Sequence, residues 1–276
     1  MRVLVVNPNT TRAMTDEIGH VARAAAAPAT EVDCVQPAAG PRSIEGAPDE
    51  VLAAYHTLDV VAGRQGRYDA YVIACFGDPA LAACREVSSV PVVGIAEAAF
   101  HMASLVAYKW SVVTVLPRVK PLLEELVHRN GMELRCASIR CTPLTVLEIE
   151  ADIERTRRMM VEEARSAIAG EGAEAILLGC AGLGPLDKWM QDQLGVPVLD
   201  GVACAVKLVE ALHGYGVTTS KVAAYKDPEP KELVACPGSL ALVYAPPHEV
   251  RTPGHPQRSE EGGAPRFRGD PGGALR

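Results

Sequence analysis

Two stretches of the chain repeat the same order of features, and this repeat limits the possible folds more than any other feature. One begins at Tyr68 and reads YDAYVIACFGDPALAACREVSSVPVVGIAEAA; the other begins at Ala173 and reads AEAILLGCAGLGPLDKWMQDQLGVPVLDGVACAV. Each has an apolar segment ending in Cys-x-Gly, a helical segment, then Val-Pro-Val and a glycine. Cys75 precedes its proline by 16 positions and Cys180 by 17. The repeat predicts a duplicated structural unit.

Around the repeat, short Val/Ile/Leu runs alternate with longer amphipathic segments. This alternation is typical of βαβ units whose parallel sheet is buried on both faces. The predicted strands are Arg2–Val6, Ala70–Ala74, Val92–Gly94, Ser111–Leu116, Ala175–Leu178 and Pro197–Leu199. The predicted helices include Arg12–Ala25, Asp49–Gly63, Ala80–Glu86, Val119–Asn130, Ile149–Gly170 and Gly201–Tyr215.

The expected fold class is therefore α/β, with two pseudo-symmetric lobes that each contain a doubly wound parallel sheet. Residues 1–100 together with 201–235 are predicted to form the first lobe, and residues 101–200 the second. Ligands of open α/β sheets bind at the carboxyl ends of the strands. We therefore expect the active site between the lobes, with one repeated cysteine on each side.

The C-terminal segment has a different composition. From Pro237 to Arg276 it contains 7 Pro and 7 Gly in 40 residues. This share exceeds the roughly 25–30% that indicates low-complexity sequence. Such a segment buries too little apolar surface to offset its conformational entropy. We expect residues 236–276 to be a disordered extension.

Composition favours a small-molecule substrate over macromolecular partners. The net charge is -7 and no Lys/Arg cluster occurs, which disfavours nucleic acid and membrane surfaces. The apolar N-terminus is too short for a signal peptide, and no run is long enough to span a membrane. The eight cysteines lack both a disulfide framework and metal-binding spacing. We expect reduced thiols in the cytoplasm, no metal and a homo-oligomeric protein.

Both cysteines of the repeat have surroundings that favour thiol chemistry. Each ends a strand and precedes a glycine and a predicted helix start, whose positive potential lowers a thiol pKa. Backbone N–H groups of Phe76-Gly77 and Ala181-Gly182 can receive a developing oxyanion. Racemisation of a carbon acid needs a base on one face of the carbon and an acid on the other. Cys75 and Cys180 are the predicted acid/base pair.

Several further motifs resemble one known family. The opening Asn7-Pro8-Asn9-Thr10-Thr11, the segment CFGDPAL, VPVVGIAEAA, LGCAGL and VPVLDGVACAVKL are similar to the aspartate/glutamate/hydantoin racemase superfamily, over about residues 1–233. The resemblance implies a flavodoxin-like double lobe, no pyridoxal phosphate, no metal, and catalysis by Cys75 and Cys180. The segment Val115-Leu116-Pro117 departs from the Thr-rich loop of the family. It directly follows Thr114, which is a candidate for substrate binding.

Within that superfamily, the loops after the cysteines favour hydantoin or allantoin over amino acids. Free aspartate or glutamate needs charge-matched loops, whereas Phe76, Gly77, Ala181 and Gly182 suit a neutral ring. Asn9 is a candidate for substrate binding and also for helix capping. Asp78, followed by Pro79, is a candidate for substrate binding and, more in keeping with its sequence, for the N-cap of the next helix.

Other functions remain open from the sequence. The protein could perform another reaction of the superfamily, such as aspartate or glutamate racemisation, maleate isomerisation or malonate decarboxylation. Decarboxylation needs only one cysteine, so the matched pair counts against it. A two-lobed binding protein without turnover is a further alternative, although binding alone has no use for two opposed thiols.

Overall fold

The computed structural model describes residues 1–245, in which eight strands form two separate parallel sheets. The first sheet has the order β2-β1-β3-β4 and the second the order β6-β5-β7-β8, so the two lobes share one topology. The strands are β1 Arg2–Val6, β2 Glu31–Val35, β3 Ala70–Ile73, β4 Val92–Gly94, β5 Trp110–Val115, β6 Cys136–Thr142, β7 Ala175–Leu178 and β8 Val198–Asp200. The predicted α/β fold with two similar lobes is confirmed.

The pseudo-symmetry extends to single hydrogen bonds at the end of the central strands. Ala74, which follows β3, donates its N–H to the Val6 carbonyl at 2.8 Å. Gly179, which follows β7, donates to the Val113 carbonyl at 2.9 Å. Both bonds continue a parallel ladder by one residue, immediately before a cysteine. The two cysteine loops therefore leave their sheets at equivalent points.

Ten α-helices connect and cover the strands of residues 1–245. They are α1 Arg12–Ala25, α2 Ala47–Ala62, α3 Leu81–Val87, α4 Ile95–Val106, α5 Lys120–Arg129, α6 Glu148–Ala151, α7 Ile153–Glu171, α8 Asp187–Leu194, α9 Gly201–Tyr215 and α10 Gly238–Val243. Local sequence explains the ends of the long α7. Asp152 caps its start by accepting from the Arg155 N–H at 2.9 Å, and Gly172 ends it at a φ of 74°.

Helices α4 and α9 hold the two lobes together. Although α9 follows the second sheet, it packs on β3 and β4 of the first sheet. Conversely, α4 follows the first sheet and contacts β7 and β8 of the second. The two helices also pack extensively on each other. For the lobe boundaries we propose residues 1–100 with 201–235, and 101–200, with α4 lying across the division.

The core is largely aliphatic, with a short aromatic stack between the lobes. The central strands β1, β3, β5 and β7 are almost entirely buried. Phe100 stacks on Trp110 with ring centroids 4.9 Å apart and meets Phe76 edge-on at 5.8 Å. No helix within residues 1–245 is both long enough and apolar enough to cross a membrane.

The structure differs from the sequence predictions at two edge strands, at three places among the helices and at the chain end. Strands β2 and β6 and helices α4 and α8 were not among the predicted ranges, and the predicted helix Ile149–Gly170 is divided at Asp152 into α6 and α7. The expectation of a disordered segment from residue 236 does not hold for Gly238–Val243, which form α10 with Leu240 buried. The short apolar run of α10 packs against α2. Its Pro/Gly-rich surroundings concealed this helix in the sequence. The rest of that predicted extension lies outside the described residues.

Candidate active site

Two cysteines face one cavity between the lobes. Cys75 lies two residues after the end of β3, and Cys180 two residues after the end of β7. Since parallel strands end at the same edge of each sheet, both cysteines lie where ligands of such sheets bind. They line the same cavity, which has a volume of about 70 Å³. The topology thus brings together the two residues that the repeat singled out.

Most of the cavity wall is apolar. Seven of the nine residues predicted from the sequence line it, namely Asn9, Cys75, Phe76, Gly77, Thr114, Cys180 and Ala181, whereas Asp78 and Gly182 do not. Large aliphatic residues from both lobes complete the wall: Met14, Ile44, Val119, Leu122, Leu123 and Val146. Among the described residues, no group of three His, Cys, Asp or Glu side chains is arranged to hold a metal ion.

The Cys75 thiol does not have the lowered pKa that its sequence position suggested. Burial, with a smaller contribution from the nearby Cys180, raises the pKa of Cys75 to about 12. The Gly77 N–H, which hydrogen-bonds the sulfur, opposes this rise only in part. Helix α3 begins only at Leu81, so its N-terminus does not directly follow Cys75 as the sequence suggested. In the ligand-free protein Cys75 is therefore a neutral thiol.

Asn9 and Thr114 are buried and largely engaged within the protein. The Asn9 side-chain oxygen accepts from Asn7 Nδ2 at 3.0 Å and from the Thr11 N–H at 2.9 Å. Its amide nitrogen contacts Met14 Sδ at 3.0 Å, which leaves one amide hydrogen for a ligand. The Thr114 hydroxyl donates to the Gly179 carbonyl at 2.7 Å. Thr114 therefore holds the loop that carries Cys180.

Glycines allow the Cys180 loop to approach its neighbours closely. A Cβ at Gly179 would lie 2.5 Å from Thr114 Cβ, closer than two carbons can approach. A Cβ at Gly182 would lie 3.6 Å from Met14 Cε and 4.0 Å from Cys180 Sγ, at ordinary contact distances. Gly179 is thus required by packing. Gly182 instead keeps space open beside the sulfur.

Asp78 performs a different task from the capping role that its sequence suggested. Helix α3 begins three residues later, so Asp78-Pro79 does not begin it. The buried Asp78 carboxylate instead accepts from the Ala96 and Glu97 N–H groups, at 3.1 and 2.9 Å. It therefore caps the start of α4. Burial raises the pKa of Asp78 to about 7.

Glu50 was missed by the sequence analysis, although it lines the cavity. It lies in the first turn of α2, a helix whose N-terminal signature of Gly46, Pro48 and Asp49 is readable in the sequence. The helix follows the edge strand β2, which was not predicted. Had β2 been identified, the start of α2 would have been placed at the carboxyl edge of the first sheet, beside Cys75. The sequence analysis therefore missed Glu50 because it missed strand β2.

Comparisons with known proteins agree with this geometry. The family model described as Asp/Glu/Hydantoin racemase matches residues 3–209. The chain is 47% identical to a hydantoin racemase of Pseudomonas sp. (strain NS671), covering 85% of this chain and 94% of that protein. A hydantoin racemase of Paenarthrobacter aurescens is 43% identical, covering 85% of this chain and all of that protein.

A solved structure shows the same fold. Allantoin racemase from Klebsiella pneumoniae superposes with a TM-score of 0.83 at 45% identity, covering 85% of this chain and 96% of that one. The family match spans both sheets and both cysteine loops. The chain belongs to the Asp/Glu/hydantoin racemase family.

Proposed function

We propose that the protein interconverts the enantiomers of 5-substituted hydantoins, including allantoin, by proton transfer between two cysteines and without a cofactor. The observation that carries this proposal is the placement of Cys75 and Cys180 at equivalent points of two similar lobes, lining one cavity. Such a reaction needs cysteines that are not joined in disulfides, and none of the eight, all of which lie within the described residues, forms one. A reducing compartment such as the cytoplasm keeps them in that state.

In the proposed reaction, the thiolate of one cysteine removes the proton from C5 of the ring. The electron pair of the C–H bond passes into the adjacent carbonyl and gives an enolate. The thiol of the other cysteine then delivers its proton to the opposite face of C5. One proton is taken and one is returned, so the two cysteines end with their protonation states exchanged. Each cysteine is the base for one enantiomer and the acid for the other.

The electrostatics of the pair disfavour two thiolates at the same time. The pKa of Cys75 is raised by burial and by Cys180, so ionising both sulfurs together is unfavourable. In the ligand-free protein Cys75 is therefore suited to be the proton donor. The reverse reaction needs Cys75 as the thiolate and Cys180 as the thiol. The forward reaction leaves the two cysteines in that state.

The cavity suits a neutral ring better than a free amino acid. No Lys or Arg is among the described residues that line it, so an α-carboxylate would have no cationic partner there. Aliphatic side chains from both lobes offer an apolar surface to a 5-substituent. The C5 proton of a hydantoin lies beside a carbonyl and is more acidic than the α-proton of an amino acid. Binding and reactivity therefore favour hydantoins.

The test uses Cys75→Ser and Cys180→Ser with single enantiomers in deuterated water. Serine is far less acidic than cysteine, so each variant should lose racemisation by at least about 10³-fold. The remaining cysteine can still remove the C5 proton from its own face and return deuterium there. Each variant should therefore label one enantiomer without inversion, and the two variants should label opposite enantiomers. Optical rotation and mass spectrometry measure both effects.

Cys204→Ser is the matched control, because that cysteine is buried in α9 away from the cavity wall. It should racemise like the wild type. Enzyme-free samples correct for the spontaneous exchange of hydantoins. If both active-site variants labelled the same enantiomer, the assignment of the two cysteines to opposite faces would be wrong. A parallel incubation with glutamate enantiomers separates this function from amino-acid racemisation.

A further inference from the structure

Glu50 is the one formally charged side chain among the described residues that line the active-site cavity. It also lines a second, larger cavity of about 600 Å³, and Gly77 lines both cavities as well. Its carboxylate therefore lies at the junction between the thiols and an open space toward solvent. A charge in a wall that is otherwise apolar requires an explanation, because desolvating it is unfavourable.

The Glu50 carboxylate has no structural duty that accounts for its position. None of the hydrogen bonds or ion pairs among residues 1–245 engages it. Burial raises its pKa, and the field of Arg129 from α5 lowers it. Its charge in turn raises the pKa of Cys75, so the carboxylate lies within electrostatic range of that sulfur. It is half-buried, and its accepting oxygens are available to a ligand.

Gly77 leaves the space that the carboxylate occupies. A Cβ added at Gly77 would collide with Glu50 Oε1, and it would lie 4.0 Å from Cys75 Sγ. The absent side chain of Gly77 thus lets Glu50 lie against the loop that carries Cys75. The collision involves the tip of a flexible side chain, so an alanine there would displace the carboxylate and leave the backbone in place.

The other polar groups of the wall are largely engaged within the protein. The Asn9 oxygen and the Thr114 hydroxyl both have internal hydrogen bonds. A hydantoin ring brings two N–H donors into this cavity, and each needs an acceptor once it has lost water. The Glu50 carboxylate has two oxygens with unused accepting capacity, and it is the one charged acceptor among the described residues of the wall. A hydrogen bond between a ring N–H and this carboxylate would replace the hydrogen bonds to water that both groups lose on binding.

We propose that Glu50 is a specificity-determining residue that accepts a hydrogen bond from a ring N–H of the substrate and repels ligands that carry a carboxylate. This inference rests on the proposed function. The anionic ligands in question are ureido acids, the products of opening the hydantoin ring. A ring substrate and its ring-opened form share the same side chain, so the charge of Glu50 would separate two otherwise similar molecules.

The experiment compares wild type with Glu50→Gln and Glu50→Ala, measuring racemisation of a hydantoin and inhibition by the matching ureido acid. Glu50→Gln keeps an accepting oxygen and loses the charge. Its KM should stay within about 3-fold of wild type, while the ureido acid should bind at least about 5-fold more tightly. Glu50→Ala should raise KM by about 10-fold or more, with a smaller effect on kcat.

Two further variants make the result specific. Glu162→Gln removes an equal charge from the exposed face of α7, which does not line the cavity, and should leave both measurements unchanged. Gly77→Ala should reproduce the effects of Glu50→Ala, and the double variant should be no worse than either single one. Unchanged KM and unchanged ureido-acid binding in Glu50→Ala would overturn the proposal. Fully additive effects of the two substitutions would overturn the placement of the carboxylate against Gly77.

Calorimetric binding separates this inference from the proposed function. If wild type binds hydantoins and does not racemise them, the proposed function is wrong, and the same variants still test Glu50 through binding alone. If wild type racemises hydantoins and Glu50→Gln binds ureido acids no better, the proposed function stands and the role of Glu50 is wrong. Failure of wild type to bind any hydantoin would overturn both.

Discussion

Two buried aspartates perform the same task in the two lobes from different positions of the repeat. Asp200 is the N-cap of α9 and accepts from the Ala203 N–H at 2.7 Å. The equivalent position before α4 is Gly94, and there the carboxylate comes from Asp78 in the Cys75 loop. A Cβ at Gly94 would collide with Asp78. The capping carboxylate of α4 therefore also fixes the loop that carries Cys75.

Asp78 should make stability depend on pH in an unusual direction. Burial raises its pKa from 3.8 to about 7, so the folded state binds this proton more tightly than the unfolded state does. Its contribution to stability is fully present below about pH 4 and is lost as the pH rises through about 7. We expect the free energy of unfolding to fall between about pH 5 and about pH 8. Asp200, with a pKa raised to about 6, acts in the same direction.

Asp78→Asn tests this expectation. The fall in the free energy of unfolding between those pH values should be smaller in the variant by about 1 kcal/mol or more, because the titrating group is absent. The variant should also be less stable overall, because one of the two helix N–H groups then faces an amide nitrogen, which cannot accept a hydrogen bond. Urea unfolding at several pH values measures the slope. Asp16→Asn, an exposed control on α1, should keep the wild-type slope. An unchanged slope in Asp78→Asn would contradict the raised pKa.

At the scale of elements, the central strands were predictable and two edge strands were not. Strands β1, β3, β5 and β7 are buried on both faces and read as continuous apolar runs. In contrast, β2 has the sequence EVDCV, with partly exposed residues throughout, because neighbours cover it only in part. The edge strands β4 and β8 were found through the Val-Pro-Val of the repeat.

The same reasoning explains how much of the site was predictable. The repeat identified Cys75 and Cys180, because duplication marks equivalent positions independently of their surroundings. The aliphatic residues of the opposite wall, such as Leu122 and Val146, come from parts of the chain with no motif, and only the folded topology brings them together. The predicted lowering of the Cys75 pKa was wrong for a related reason. Burial by distant segments raises this pKa, and such burial cannot be read from the local sequence.

Helix α10 offers a test of how firmly the end of the described chain is attached. Leu240 is 5% exposed and packs toward α2, whereas Leu242 in the same helix is 61% exposed. Leu240→Ala should lower the protection of α10 amides by about 2 kcal/mol, and Leu242→Ala by less than about 0.5 kcal/mol. Hydrogen exchange with mass spectrometry measures both. Equal effects of the two substitutions would show that α10 is not anchored through Leu240.

At the scale of the whole molecule, the cleft depends on the contact between α4 and α9. These equivalent helices each pack on the sheet of the other lobe, and their first residues are in close contact. A Cβ at Gly201 would lie 2.6 Å from the Ile95 carbonyl oxygen and 3.0 Å from Ile95 Cβ. Ile95 follows the edge strand of the first sheet and Gly201 that of the second. The separation of the two lobes is thus set by a glycine.

Gly201→Ala should therefore reduce both stability and racemisation. The added methyl group meets backbone, which cannot move aside as a flexible side chain does, so α4 and α9 must separate and carry the two cysteine loops with them. We expect a loss of about 1–3 kcal/mol in the free energy of unfolding, as for overpacked cores. A small change in the distance between acid, carbon and base should lower kcat by about 10-fold or more.

Gly214→Ala is the matched control in the same helix, because a Cβ there meets nothing within 4 Å. It should keep full activity and gain up to about 1 kcal/mol from the better helix former. Urea unfolding and polarimetry on the two variants distinguish the outcomes. Wild-type stability and rate in Gly201→Ala would show that the lobes can adjust without changing the cleft.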